Sequence, residues 1–286
     1  MSRRSLNKFL AAFKLDRGIL DEASIIYEGD SEFHHITIKE EGENRTMYFG
    51  DLGDEAETSI NLKNPDKAVF EYPGMMLSAL PLCPEGRRVL MLGLGGGFLP
   101  MLFQKFLPDY RLTVVEVDLL VAELAQTYFG FCPGDNVTLH LGDGRAFIEE
   151  MEEESVDQIW LDAFSGNYVP KQLSGLNFLR LCQKKMSPGG LLVQNLHQSR
   201  PLAFQNQLKT TEAAFGSFIA LDGTRCGNSV VISRKEGGPP GPVWQKAALE
   251  NAAKKFPFRR LGPYDLAKEM GKIYNFEIEP QAVVLD

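Results

Sequence analysis

Residues 88–97 read RVLMLGLGGG, and the next ten, 98–107, read FLPMLFQKFL. The apolar run VLML suits a strand buried on both faces. The glycines let the backbone turn tightly behind it, and the segment after them carries helical spacing. Strand, glycine turn and helix form the first half of a βαβ unit. The alternation continues towards the C-terminus. RLTVVEVD (111–118) reads as a strand and LLVAELAQTYFG (119–130) as a helix, and the strands VTLHLGD, DQIWLDAF and GGLLVQNLH follow with helical stretches around 144–152, 173–186 and 202–215. SFIALDG and NSVVISRK fit a closing hairpin. Strands separated by helices of this length imply right-handed crossovers. The expected fold is α/β: a doubly wound, mostly parallel, seven-stranded Rossmann-like sheet.

Towards the N-terminus the period changes. SIIYEGD, HHITIKE and TMYFGDL alternate apolar and polar residues, with turn residues at Gly29-Asp30-Ser31 and Gly42-Glu43-Asn44. A small antiparallel β unit is expected there, ending near Asn64-Pro65-Asp66. FEYPGMMLSALPL then reads as a helix entered at Pro73. KEGGPPGP (235–242) is the clearest linker, and residues beyond it form an amphipathic, helical tail. The expected divisions are 1–65 as a small β domain, 66–235 as the α/β domain, and 236–286 as linker and tail.

Of the 286 residues, 44% are hydrophobic and 24% charged, which is globular composition rather than disordered or collagen-like. The net charge of −8 argues against a non-specific nucleic-acid binder. Lys8, Lys14, Asp16 and Arg17 interrupt the first apolar stretch, and no run reaches the ~18 apolar residues of a membrane span. The four cysteines show no CxxC pair, so no metal centre is expected. The reading is a cytoplasmic chain with no nucleic-acid or membrane partner.

In an open α/β sheet, ligands bind beyond the carboxyl ends of the strands. Gly93, Gly95 and Gly97 make a G-x-G-x-G turn at the first such end, the spacing of S-adenosylmethionine sites. The dinucleotide pattern would need glycine at 98, where Phe98 stands. Glu116 ends the second strand and can accept ribose hydroxyls; a solvated strand end is the plainer alternative. Asp118 suits the cap of the following helix. Asp143 and Gly144 follow the third strand, where an acceptor can take an adenine amine and a helix cap is a compatible role. Asp162 ends the fourth strand, able to orient an amine nucleophile or take its proton. An ordinary loop aspartate is the alternative there. His197, ending LLVQNLH, is a further acid/base candidate.

The run of IYEGDSEFHHITI, VLMLGLGGG, VVEVD, LHLGDGRAFI and IWLDAFSGNYVP resembles the spermidine synthase family of aminopropyltransferases and its methyltransferase-like relatives, across about residues 24–234. The resemblance implies an N-terminal β lid, a nucleoside-binding catalytic domain and a homodimer. It implies that Glu116 holds ribose, that Asp143 and Gly144 hold adenine, and that Asp162 is the catalytic carboxylate. His34, Tyr72, Ser165 and Tyr168 fall at substrate positions.

Departures from the family pattern touch the acids. Aminopropyltransferases read GGGDGG in the glycine loop, and the Asp position is Gly96 here. Their Asp-x-x-Asp is Asp162-Ala163-Phe164-Ser165, the Gln of their S-x-Y-Q is His34, and their Tyr–His/Gln–Glu triplet is replaced around Tyr72-Pro73-Gly74-Met75. A buried ammonium without its carboxylate costs several kcal/mol. The sequence therefore favours methyl transfer from intact S-adenosylmethionine to a small amine or related nucleophile, with aminopropyl transfer from decarboxylated S-adenosylmethionine as the alternative and a non-catalytic nucleoside-binding module as the third reading. A cationic sulfonium nearby would hold the Asp162 pKa down.

Overall fold

The computed structural model describes residues 23–50, 55–163, 170–223, 227–236, 246–256, 260–270, 272–274 and 276–286. The N-terminal stretch with Lys8, Lys14, Asp16 and Arg17, and the candidates Ser165 and Tyr168, lie outside them.

The alternating N-terminal segments form an antiparallel meander: β1 Ser24–Asp30, β2 His35–Glu41, β3 Asn44–Phe49 and β4 Glu55–Asn61, in the order β1-β2-β3-β4. Ile36, Ile38, Met47, Phe49 and Ile60 turn inward and are buried. The three strands read from sequence are joined by β4, whose EAETSIN carries too weak an alternation to be read alone. Next comes the short helix α1 (Tyr72–Leu77), with Pro73 in its first turn.

The α/β portion comprises β5 Arg88–Leu92, α2 Phe98–Phe106, β6 Arg111–Glu116, α3 Leu119–Phe129, β7 Val137–Leu141, α4 Gly144–Glu150, β8 Val156–Leu161, α5 Leu176–Lys185, β9 Met186–His197, α6 Pro201–Phe215, β10 Ile219–Asp222 and β11 Asn228–Arg234. Beyond these lie α7 Lys246–Lys255, β12 Arg260–Leu261, β13 Tyr264–Asp265, α8 Leu266–Met270 and β14 Ile273–Tyr274. The central sheet runs β14-β10-β11-β9-β8-β5-β6-β7. The neighbours from β9 to β7 pair in parallel, and the β9–β11, β11–β10 and β10–β14 pairs are antiparallel.

Alternate residues of β5 explain its unbroken apolar run. Val89 and Met91 join the core beneath the N-terminal sheet, while Leu90 and Leu92 join the core under α4 and α5. The chain reverses direction across the sheet between β5 and β8, the switch point at which such folds open a crevice.

The expected seven strands are present, and the structure adds an eighth: β14 pairs with β10 through Ala220↔Tyr274 and Leu221↔Ile273. Two short antiparallel residues leave too little periodicity to be read from sequence. The tail packs as core. Phe256, Leu261, Leu266 and Met270 are buried in the same cluster as β5 and α1. No helix among the described residues is long and apolar enough to cross a membrane.

Leu266 is fully buried. Leu266→Ala should therefore cost about 2–5 kcal/mol of unfolding free energy, as a core truncation does. Denaturant titration checks this; a loss below about 0.5 kcal/mol, typical of a surface site, would contradict it.

Candidate functional site

Two strand ends meet at the switch point. Leu92 pairs with Leu161, and the Asp162 N–H donates to the Leu92 carbonyl at 3.0 Å. This brings the Asp162 peptide against Gly93 so closely that a Cβ at position 93 would lie 2.3 Å from the Asp162 carbonyl oxygen. Gly93 also has φ +95°, a conformation that L side chains rarely adopt. Glycine is thus obligatory where the loop leaves β5. Gly97 caps α2 with φ +76°, and its missing Cβ leaves room for Phe131. The loop is shaped by close packing on both flanks.

Glu116, at the end of β6, fastens the loop. One of its carboxylate oxygens accepts the Leu94 N–H at 2.8 Å and the other the Asp118 N–H at 2.9 Å. Burial raises its pKa against the opposing pull of these amide donors. Each oxygen keeps a second lone pair, so bracing the loop is compatible with accepting a hydroxyl. Asp118 caps α3 through the Leu120 N–H at 2.9 Å and accepts the Ser31 hydroxyl at 2.5 Å. Its structural role is the one read from sequence, extended by a tie to the N-terminal sheet. Val117 and Leu141, on neighbouring strand ends, are exposed, which gives this part of the rim an apolar surface suited to a nucleobase. Asp143 caps α4 through the Ala146 N–H at 2.8 Å, and Gly144 lets the chain pass over Leu92.

Asp162 follows β8, on the other side of β5 from β6 and Glu116. Burial pushes its carboxyl up to about 7, opposed by the Asn195 amide, which donates to Oδ1 at 2.8 Å. The depressed pKa expected beside a sulfonium is not a property of the unliganded protein, where desolvation dominates. A buried carboxyl that ionises near neutrality is suited to receiving a proton.

The remaining candidates spread around this centre. His34 stacks on Phe49 with centroids 4.3 Å apart, and burial lowers its pKa, so it presents a neutral ring. Tyr72 donates its hydroxyl to the Glu57 carbonyl at 3.5 Å. His197 accepts the Ser199 N–H at Nδ1 and lies over Gly227. No described residues group into a metal site.

Sequence reasoning missed three contributors. Thr58 and Phe129 close on the glycine loop: a Cβ at Gly96 would lie 2.6 Å from Thr58 Cγ2 and 2.9 Å from the Phe129 ring. The absent acid at position 96 is therefore a steric exclusion as well as a lost charge. Asn195 is the third. A buried amide inside the apolar strand LLVQNLH was the available signal, because buried polar groups need partners.

Comparison with known proteins bears on the family and the fold. Residues 71–218 match the spermine/spermidine synthase domain. A polyamine aminopropyltransferase of Vibrio vulnificus is 30% identical over 244 residues, covering 84% of this chain and 81% of that protein. An eEF1A lysine and N-terminal methyltransferase of Danio rerio is 37% identical over 117 residues, covering 38% of this chain and 17% of that protein. A crystal structure of spermidine synthase from Thermotoga maritima superposes with a TM-score of 0.70 at 19% identity, covering 87% of this chain and 83% of that one.

Gly96→Ala should destabilise the chain by about 1–3 kcal/mol through overpacking. Adding Thr58→Ser, which deletes the nearest methyl, should restore part of that loss. Thermal unfolding of the single and double variants measures both; additive losses would show that Thr58 does not press on the loop.

Proposed function

Because the chain belongs to the spermine/spermidine synthase family, and is accordingly a transferase using an S-adenosyl sulfonium, we propose that it transfers an aminopropyl group from decarboxylated S-adenosylmethionine to a small amine. The observation that carries this reading is kinship along the length: the aminopropyltransferase relative aligns over most of both chains, whereas the methyltransferase relative aligns over a minor part of each. This reverses the order expected from sequence, where the missing acids placed methyl transfer first.

The residues of the rim fit the group. The glycine loop offers a close backbone approach, Glu116 offers acceptors for ribose, Asp143 and Gly144 flank the adenine position, and Val117 and Leu141 offer apolar surface. The sulfonium supplies a carbon made electrophilic by the adjacent positive sulfur. Asp162 orients the acceptor amine towards that carbon. As the nitrogen–carbon bond forms and the carbon–sulfur bond breaks, Asp162 takes the amine proton and methylthioadenosine leaves. In this reading residues 1–65 serve as a lid over the catalytic portion, 66–235, with His34 and Tyr72 facing the acceptor. The pairing of two copies is part of the same proposal.

Methyl transfer from intact S-adenosylmethionine is the second reading, favoured by one observation. Position 96 has no space for the carboxylate that would pair with an aminopropyl ammonium. An intact methionine tail also brings its own carboxylate, which backbone N–H groups of the loop can receive.

Incubation with each sulfonium donor and a panel of amines, followed by mass spectrometry of the nucleoside product, separates the readings. Methylthioadenosine is expected. S-adenosylhomocysteine would establish methyl transfer instead, and nucleoside binding with neither product would leave a binding module. Asp162→Asn should lower single-turnover transfer about 10²- to 10⁴-fold while nucleoside affinity stays near wild type; undiminished turnover would remove Asp162 from the chemistry.

A further inference from the structure

The sheet register places a second amide behind the one that holds Asp162. Leu161 pairs with Gln194 across β8 and β9, which sets Asp162 beside Asn195. Asn195 pairs with Val230 across β9 and β11, and Asn228, two residues before Val230, is its diagonal neighbour on the same face. The Asn228 Nδ2 donates to Asn195 Oδ1 at 3.1 Å, while Asn195 Nδ2 donates to Asp162 Oδ1 at 2.8 Å. Among the described residues, no other side chain or backbone N–H donates to the Asp162 carboxyl.

The direction of this relay is fixed by chemistry. A carboxylate only accepts, and a primary amide has one accepting end and one donating end. Asn195 is 2% exposed, so solvent cannot satisfy a rotated amide. Turning Asn195 over would set its oxygen against the Asp162 oxygen and its NH₂ against the Asn228 NH₂, two repulsive contacts in place of two bonds. The Asp162 carboxylate thus sets which end of Asn195 faces it, and Asn228, by donating to Asn195 Oδ1, holds the amide in that orientation.

We propose that Asn228, acting through Asn195, is a positioning residue for Asp162. It holds Asn195 as a donor to Oδ1, which favours the ionised carboxylate and reserves Oδ2 for the proton released by the acceptor amine. The proposal rests on the transferase reading of Asp162. The titratable groups on the surrounding strand ends are Glu116 at the end of β6, Asp143 after β7, His197 at the end of β9 and Asp222 at the end of β10. Their hydrogen bonds run to Leu94 and Asp118, to Ala146, to Ser199, and to Gln198 and Ser229 respectively. Burial, rather than any of these charges, raises the Asp162 carboxyl, and the Asn195 amide opposes it.

The sign of the effect follows. Asn195 stabilises the charged form, so weakening its bond raises the Asp162 midpoint further above its ordinary value. Carbon-13 NMR titration of the Asp162 carboxyl in the unliganded, full-length protein, assigned with Asp162→Asn, measures this without reference to activity. The wild-type midpoint should lie at about 7. Asn195→Ala should raise it by about one to two pH units, the equivalent of one hydrogen bond to a charged group. Asn228→Ala should raise it by a smaller amount in the wild-type background and not at all in the Asn195→Ala background, because its influence passes through Asn195. Asn228→Gln, which keeps a donor, should stay near the wild-type midpoint. Asn228→Leu, close in volume and without a donor, replaces Ala in the same cycle if the Ala variant does not fold. An unmoved midpoint in Asn228→Ala or Asn228→Leu, or an equal rise with Asn195 already removed, would overturn the relay. The acid limb of kcat/KM against pH should move with the NMR midpoint. A midpoint that moves as described in a protein transferring from neither sulfonium donor would uphold the relay and refute the transferase chemistry.

Discussion

A single buried carboxylate holds the functional rim together. Glu116 reaches from the end of β6 to the Leu94 N–H in the glycine loop after β5, and with its other oxygen to the Asp118 N–H. Charge-assisted bonds of this kind are stronger than neutral ones and lose little to competition from water when buried. The loop's shape, the start of α3 and the position of Asp118 all follow from it. Asp118 then carries the connection to Ser31, so that the N-terminal sheet is docked on the same carboxylate-centred network. An isolated buried carboxylate would be costly, and here its amide donors offset part of that cost.

The second organising contact is steric. Gly93 lies against the Asp162 peptide, which brings the loop and Asp162 together at the switch point of the sheet. Thr58 of β4 presses on Gly96 from the opposite side, with Phe129 of α3 beside it. A side chain of the β unit therefore sets how much space the glycine loop has. That is where this chain diverges most from the acid-bearing loop of aminopropyltransferases, and it defines the chemical question of how a cationic donor tail would be received.

Much of the architecture was legible because it is periodic. The apolar runs at 88–92, 111–116 and 156–161 needed burial on two faces, which only a covered parallel sheet provides, and the glycines after Leu92 had no role in a strand or helix. Glu116, Asp143 and Asp162 were legible as acids at strand ends. The missed contributors depend on three-dimensional register. Thr58 meets Gly96 across nearly forty positions of sequence, and Asn228 reaches Asn195 through an antiparallel pairing that no local pattern encodes. The tail was read as amphipathic helix, but its two-residue strand β14 and its share of the core depend on β10 being in place first. The raised Asp162 pKa of the unliganded protein was not legible, because sequence shows which charges are present and not how much water surrounds them.

If the Glu116-braced loop is the nucleoside site, affinity for the adenosine common to both donors should depend on that one charge. Calorimetric titration of methylthioadenosine into wild type and Glu116→Gln tests this directly, since the substitution keeps the side chain's shape and removes a charged acceptor. Losing one such hydrogen bond should weaken binding about ten- to a hundredfold. An unchanged dissociation constant in a variant that remains folded would contradict the assignment of the rim as the nucleoside site.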